Sequence, residues 1–230
     1  MGGSMGIGMF EEISEFTMVP EYQVGATVFD LLAANSARPI ARVRRDENAW
    51  ADPIWPVLAG PGLDTQVGMV VHSKRRFGKL VAYNAAREPF GSVSVDSIKR
   101  HSIGDTWQVE HVGIGNMTGG QVGSSVGAGL RKSSLVDFVA GDIGQAVNDV
   151  SRMRMEFRGA DGPGFDVLKP AGLAKRAQVT VRDPRIDRIL LFAFYILFHD
   201  GLATETPKEY IVDSVRAFSP SNWARKKQRP

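Results

Sequence analysis

The sequence predicts a mainly β domain whose sheet is a closed or nearly closed antiparallel barrel around a hydrophobic C-terminal helix. Two observations lead to this prediction. Short apolar runs separated by turn residues follow one another from residue 24 to residue 181, which is typical of a meander rather than of alternating strands and helices. Residues 189–198 are ten consecutive apolar positions, and a helix that is apolar on every side has to be buried on every side.

The chain begins with a segment that differs from the rest. Phe10, Ile13 and Phe16 recur at helical spacing among glutamates, which indicates a short amphipathic helix or an ordered arm over residues 1–21. Met1–Phe10 lacks the basic start and apolar core of a secretory signal and does not match a myristoylation motif. With no cysteine in the chain, this favours a cytoplasmic location.

Strands are expected wherever apolar residues alternate or run together between turn residues. Alternation is clearest in residues 40–44 and 152–158, where Met153, Met155 and Phe157 share one face. The predicted strands cover residues 24–32, 40–44, 67–72, 79–83, 91–95, 106–110, 152–158, 165–168 and 178–181.

Two segments interrupt this meander. Residues 46–65 contain three prolines, which cannot donate to a β-ladder, so we expect mainly loop or edge there. Residues 112–130 carry no charge, and their glycines recur at every fourth position: Gly115, Gly119, Gly123 and Gly127. That spacing allows a loop, a glycine-rich hairpin or a helix ridge, and the helix cost of glycine favours the first two.

The C-terminal helix is expected over residues 186–199. Its ten apolar positions would cover about 15 Å, roughly half of a bilayer's hydrocarbon core, so burial in protein is the better solution. A closed sheet around the helix hides it and leaves few strand edges. The expected core residues of this helix are Ile189, Phe192, Phe194, Tyr195 and Phe198. Further helices are expected over residues 135–150 and, within a C-terminal segment of residues 202–230, at about residues 206–218.

Several of these residues resemble a known family. The run Asp183-Pro184-Arg185-Ile186-Asp187-Arg188, leading into the apolar helix, and the strand ending at Tyr83 before Arg87-Glu88-Pro89-Phe90-Gly91 resemble bacterial members of the Tubby C-terminal-like superfamily. Phospholipid scramblases and LURP-one-related proteins belong to it. The resemblance spans about residues 24–200 and implies a barrel of about twelve strands over residues 22–201. It also implies a non-catalytic module that binds phospholipid headgroups or a membrane surface.

Motifs for catalysis or cofactor binding are not recognised. The four histidines lie in separate segments without metal-ligand spacing, and no G-x-S-x-G elbow is present. The glycines before Arg131 and at Gly113 and Gly115 do not complete a phosphate-loop or dinucleotide pattern. We therefore expect no enzyme activity, no metal and no cofactor. A net charge of only +3 gives no reason to expect a nucleic-acid partner.

Local basic clusters are the candidate contacts to an anionic phospholipid or membrane surface. Arg131 and Lys132 follow the glycine-rich segment, and a basic and aromatic tail ends the chain; such residues attract anionic lipid. The tail residues are Trp223, Arg225, Lys226, Lys227 and Arg229. The alternative is a protein-interaction or structural scaffold that uses residues 46–65 and 112–130 as contact surfaces.

Overall fold

Twelve strands form one closed antiparallel barrel in the computed structural model, and each strand pairs with its neighbours in sequence until β1 closes on β12. The structure describes residues 10–46, 54–73, 78–95, 107–122, 152–170 and 175–203. The strands are β1 (Glu15–Gln23), β2 (Ala26–Ala33), β3 (Pro39–Asp46), β4 (Ile54–Ala59), β5 (Thr65–His72), β6 (Lys79–Asn84), β7 (Pro89–Val95), β8 (Trp107–His111), β9 (Gly115–Gln121), β10 (Met153–Gly159), β11 (Gly162–Lys169) and β12 (Ala177–Val181).

The central helix, α1 (Arg188–Ala203), lies inside this barrel. Residues 189–198 are each at most 5% exposed, and their rings meet side chains from β2, β8, β10 and β11. The five expected core residues are therefore buried as predicted. The predicted bounds were slightly wrong, because the helix begins at Arg188, where the Asp187 carboxylate accepts a hydrogen bond from the Ile189 N–H at 2.8 Å. That contact is a helix N-cap.

Phe194 is the centre of an aromatic layer between the helix and the barrel wall. Its ring centroid lies 5.1 Å from that of Trp107, 5.0 Å from that of Phe157 and 5.7 Å from that of Phe165. All three contacts are edge-to-face, the arrangement that aromatic quadrupoles prefer. Phe157 and Phe165 stack on each other at 4.3 Å, so two neighbouring strands and the helix share one packed cluster.

Glycines in the wall allow the helix to approach β5 and β7 closely. A Cβ at Gly68 would lie 2.5 Å from Ile189 Cδ1 and would also overlap the Tyr83 carbonyl oxygen. A Cβ at Gly91 would lie 3.0 Å from Leu190 Cδ1. The first turn of the helix is thus seated against a wall that has no side chain at these points.

Replacing Gly68 with alanine is expected to lower the free energy of unfolding by about 1–3 kcal/mol, the usual cost of overpacking a core. Gly120→Ala is the matched control, because a Cβ on this β9 residue meets nothing within 4 Å. Urea unfolding followed by circular dichroism measures both variants. Equal stability of the two variants would contradict the close approach of the helix to β5.

Three strands occupy residues that the sequence did not predict as strand. Residues 15–21 were expected to be an arm or short helix, but they belong to β1, which pairs with β2 and β12; only residues 10–12 are helical. The proline-rich segment was expected to be loop or edge, yet β4 runs through it. Pro56 is tolerated because the pairing of β4 with β3 covers only residues 57–59, so that ladder needs no N–H from Pro56.

The glycine-rich segment forms a hairpin over its described part. β8 and β9 pair from Trp107↔Gly119 to His111↔Gly115, and Gly113 and Gly115 have φ of 89° and 86°, which glycine adopts without strain. Residues four apart also lie on one face of a strand. Gly119 lies against the Phe157 ring, and its lack of a side chain leaves room for that ring. Residues 123–130 lie outside the described residues, as do the helices predicted at residues 135–150 and 206–218.

The two ends of the barrel differ in their connections. At one end, named the turn end, β2–β3, β4–β5, β6–β7, β8–β9 and β10–β11 are joined by two to five residues. At the other, named the mouth end, β1 and β2 are joined by Val24 and Gly25, and all other strand connections contain the segments that the structure does not describe. The central helix runs from the turn end to the mouth end.

Candidate anion site at the barrel mouth

Ionisable side chains converge on the inside of the mouth end. Four come from inward positions of strands and two from the last turns of the central helix. We name this group the mouth cluster; its members are Tyr22, Arg45, His72, Lys169, His199 and Asp200.

The sequence contains a signal for this cluster that its analysis missed. In β3 the buried positions Ala41 and Val43 are followed on the same face by Arg45. In β11 the buried positions Phe165 and Val167 are followed by Lys169, which is 1% exposed. In both strands a charged residue takes the inward position that follows two buried apolar residues. A charged side chain is rarely buried without a partner, so such positions indicate a polar site inside the barrel.

Arg45 joins the strands to the end of the helix. Its Nη1 lies 2.5 Å from Asp200 Oδ1, and its guanidinium lies 5.3 Å from the Phe29 ring centroid and 5.9 Å from that of Trp55. Burial raises the pKa of Asp200, but His199 and the Arg45 guanidinium outweigh this and lower it below its usual value. Asp200 is therefore ionised at neutral pH, and Arg45 is held in place by a charge pair on one side and by two rings.

His199 is almost completely buried at this end of the helix, at 2% exposure. Its Nε2 lies 2.8 Å from the Tyr22 hydroxyl, whereas its Nδ1 lies 3.6 Å from Asp200 Oδ1, beyond hydrogen-bond length. Burial lowers the pKa of His199, so the ring is neutral. The ionised Asp200 favours the proton on Nδ1, and the Tyr22 O–H then donates to Nε2. The Nδ1–H thus faces the Asp200 carboxylate beyond hydrogen-bond length, and within the described residues it has no partner at a shorter distance.

Trp55 adds a second donor of the same kind. The residue is 6% exposed on β4, and its Nε1 is buried without a hydrogen-bond partner among the residues that the structure describes. An indole N–H can only donate. Among the described residues, the mouth end therefore holds two buried N–H donors that lack an acceptor at hydrogen-bond length, beside the Arg45 guanidinium. Such an arrangement suits the oxygen atoms of an anion.

Protonation of buried histidine should make stability depend on pH. Burial lowers the pKa of His72, His111 and His199, while an unfolded histidine titrates near pH 6.5. The unfolded chain thus binds more protons below about pH 6.5, and stability that is fully present above that pH is lost as the pH falls toward the folded pKa. The loss is at most about 1.4 kcal/mol per pH unit for each histidine.

We expect His199→Gln to flatten this dependence between about pH 7.5 and pH 5.5. His72→Gln is the matched control, since His72 is only half-buried and should contribute a smaller part of the slope. Urea midpoints at several pH values within this window measure the effect. A slope unchanged by His199→Gln would show that His199 is not held neutral.

Exposed apolar side chains surround the opening of the barrel. Among the described residues, Tyr22, Val24, Ile54 and Val122 are large apolar residues that are exposed at the mouth end, and we name them the mouth rim. Val24 is fully exposed at the tip of the β1–β2 turn. At the turn end, Val112 is the one large apolar residue that is exposed among the residues that the structure describes.

Charge is also distributed unequally between the ends. At the mouth end the described basic residues are Arg44, Arg45, Arg152, Lys169, Lys175 and Arg176, and the acidic ones are Glu21, Asp46 and Asp200. Lys79 and Arg154 are not counted there, because they pair with Glu110 and Glu156. At the turn end the acidic residues are Glu11, Glu12, Glu15, Asp64, Glu88, Asp161, Asp183 and Asp187, and the basic ones are Arg38, Arg87, Arg158, Arg182, Arg185 and Arg188. The described mouth end is therefore cationic and the turn end anionic.

The basic residues singled out in the sequence lie outside the described residues. Arg131 and Lys132 belong to the connection between β9 and β10, and Trp223, Arg225, Lys226, Lys227 and Arg229 follow the central helix. Both segments leave the described fold at its mouth end. Within the described part of the chain, no group of three histidine or acidic residues could hold a metal ion.

The fold and the site define a closed twelve-stranded antiparallel barrel with a helix inside it and a polar cluster at one opening. Comparison with protein-family models, curated proteins and solved structures finds no match. The resemblance to the Tubby C-terminal-like superfamily therefore stays a prediction. None of the helices in the described ranges is long and apolar enough to cross a membrane.

Proposed function

We propose that the protein is a non-catalytic module that binds an anionic phospholipid surface with the mouth end of its barrel. The observation that supports this most is the coincidence of basic residues and exposed apolar side chains at one end. Each basic residue near an anionic membrane contributes about 1 kcal/mol of attraction. Apolar side chains that enter the headgroup region add to this.

The anionic turn end would orient the protein on such a surface. An anionic surface repels the carboxylates of that end and attracts the arginines and lysines of the other, so the barrel axis would stand with its mouth toward the lipid. The central helix stays enclosed in this orientation, because its apolar residues are already covered by the wall. Contact is then peripheral, through the rim and the basic residues around it.

The scaffold hypothesis receives less support. It relied on residues 46–65 and 112–130 as free contact surfaces, but β4 and β9 occupy part of each segment and pair on both sides within the barrel wall. Where a strand is paired on both edges, as β4 is over residues 57–59, no backbone groups are left for a partner. The lipid proposal also agrees with the function that the family resemblance implies.

Flotation of the full chain with vesicles tests the proposal. Vesicles of phosphatidylcholine alone should not bind the protein, and vesicles that also contain phosphatidylserine should bind it at low salt and release it at high salt. Arg152→Glu with Arg176→Glu reverses two exposed charges at the mouth end, and should weaken binding by at least roughly 30-fold.

The matched control is Arg38→Glu with Arg87→Glu, which makes the same charge change at two exposed positions of the turn end. It should leave vesicle binding nearly unchanged. Equal losses for the two pairs would mean that the ends do not differ, and binding to neutral vesicles would show that charge is not the cause. Either result would overturn the proposal.

The apolar rim gives an independent prediction. Val24→Asp should weaken association with anionic vesicles by roughly tenfold, because it replaces an inserting isopropyl group with a repelled carboxylate. Val112→Asp is the same substitution at an exposed position of the turn end and should have little effect. Both valines are exposed, so neither change should lower the unfolding temperature. Indistinguishable binding of the two variants would remove the rim from the contact.

A further inference from the structure

We propose that the mouth cluster binds one phosphate group, with the Trp55 indole N–H, the His199 Nδ1–H and the Arg45 guanidinium as its donors. The inference rests on the proposed function, which brings an anionic headgroup to the mouth end, and it adds the chemical group that is recognised there. A phosphate has several strong acceptor oxygens and can accept from donors that come from a strand, a neighbouring strand and the helix at once.

The two neutral donors carry the argument. Trp55 Nε1 and His199 Nδ1 are both buried, and within the described ranges neither has an acceptor at hydrogen-bond length; Asp200 Oδ1 lies 3.6 Å from His199 Nδ1. Such groups are rare in folded proteins, because a buried donor that is cut off from water loses its hydration without compensation. Each donor gains a partner if an acceptor oxygen enters the mouth, and a ligand that supplies only acceptors is the one that satisfies both.

Arg45 connects these donors in space. It lies 5.9 Å from the Trp55 ring, and it pairs with Asp200, whose Oδ1 is 3.6 Å from His199 Nδ1. Asp200 engages one guanidinium nitrogen, Nη1, while a guanidinium has five N–H donors. The rings of Phe29 and Trp55 and the carboxylate of Asp200 contact the Arg45 guanidinium and fix its position. Little side-chain freedom therefore remains to be lost when a ligand binds.

The charges that surround the site favour an anion. Asp200 opposes one, but it pairs with Arg45, and a further cation, Lys169, is buried at an inward position of β11 at the same end. Burial is the main cause of the low pKa of His199; Asp200 acts against it, and the positive charges of Lys175 and Arg45 lower the pKa further. Two cations thus act on the position where the phosphate would bind, while Asp200 is already paired with one of them.

The buried histidine of the turn end provides a contrast. His111 Nδ1 is also without a hydrogen-bond partner in the described part of the chain. Burial lowers the pKa of His111 most, a hydrogen bond with the Val112 backbone and the charges of Asp187 and Asp183 raise it, and Arg185 lowers it, so two carboxylates act on this histidine against one guanidinium. An anion would be repelled there. The mouth cluster thus combines unused donors with a cationic surrounding, whereas the turn end does not.

The indole N–H signals of the ¹⁵N-labelled full chain give a direct test in solution without membranes. The chain has four tryptophans, and Trp55→Phe assigns the signal of Trp55. On titration with inorganic phosphate, the Trp55 indole and the His199 ring nitrogens should shift and saturate, while the indole of Trp107, which lines the same end from β8, should not. A parallel titration with sodium chloride at equal ionic strength corrects for general salt effects.

Variants extend the test. His199→Gln and Trp55→Phe should each weaken phosphate binding by about tenfold through the loss of one donor, and Trp107→Phe should leave it unchanged. A shift with both inorganic phosphate and short-chain phosphatidic acid would show that the phosphate group alone is enough. A shift with phosphatidic acid alone would support the site and assign the phosphate to a lipid.

Two results would overturn the inference: no saturable shift of Trp55 with either ligand, or equal shifts of all indole signals. The test is independent of vesicle binding. If the Trp55 signal shifts but the protein does not float with anionic vesicles, the proposed membrane function fails and the phosphate site remains. If the protein floats and the Trp55 signal does not respond, only the phosphate site fails.

Discussion

Phe194→Ala is expected to lower the free energy of unfolding by about 3–5 kcal/mol, the usual cost of removing a large aromatic side chain from a core. Phe194 is fully buried on the central helix, and its ring contacts those of Trp107, Phe157 and Phe165 from three different strands. The strands are fixed by their ladders, so the space left by the ring cannot close easily. Urea unfolding followed by circular dichroism measures the loss.

Phe90→Ala is the matched control for this prediction. Phe90 is only partly buried on β7 and packs against His111 near the turn end, so its loss should cost about 1 kcal/mol. If Phe194→Ala cost no more than the control, the helix could not be enclosed by the barrel wall, and the packing described for it would be wrong.

Arg188→Met is expected to lower the free energy of unfolding by about 3 kcal/mol. Arg188 is 3% exposed at the start of the central helix. Its Nε donates to the carbonyl oxygen of Ile13 at 2.8 Å, and its Nη1 donates to those of Pro184 and Ile186. Methionine replaces the aliphatic part of arginine but has no donor, so these carbonyl groups would lose a charged partner in a buried place.

Arg44→Met tests whether any loss of an arginine has this effect. Arg44 is largely exposed on β3 and pairs with Asp46, and exposed pairs contribute little. Its replacement should change stability by less than about 1 kcal/mol. Thermal unfolding of both variants measures the difference, and similar unfolding temperatures would mean that Arg188 does not hold the N-terminal segment to the helix.

The role of Arg188 explains part of the motif that suggested the family. Asp183 accepts hydrogen bonds from the N–H and guanidinium of Arg185, Asp187 caps the helix, and Arg188 holds Ile13. The polar residues of the run thus turn the chain from β12 into the barrel. They specify a fold, which is why the motif by itself could not indicate a ligand.

Alternation and apolar runs predicted most of the sheet from the sequence. Each of the nine predicted strands lies largely within one observed strand, because a wall with one face toward a helix requires apolar residues at every second position. β1, β4 and β9 were missed for local reasons. Pro20 and Pro56 lie inside the first two, and β9 is mostly glycine and polar residues, whose strand conformation depends on pairing with β8 and β10.

The mouth cluster could be predicted only in part. Arg45 and Lys169 could have been recognised as charges at inward positions, since the alternation of β3 and β11 is visible in the sequence. That the two strand ends meet the last turns of the helix depends on the closure of β1 on β12 and on the length of the helix. The unused donors of Trp55 and His199 depend on side-chain geometry, which no pattern in the sequence contains.

Closure of β1 on β12 has a consequence for how the protein is made. The two strands that seal the cylinder are separated by more than 150 residues, and the helix that fills it is synthesised after both of them. A sealed cylinder would not admit a helix, so sealing has to wait for the helix to arrive. The inner faces of the strands therefore stay uncovered on the ribosome until the last described part of the chain emerges, and exposed apolar surface of this kind favours aggregation during that interval.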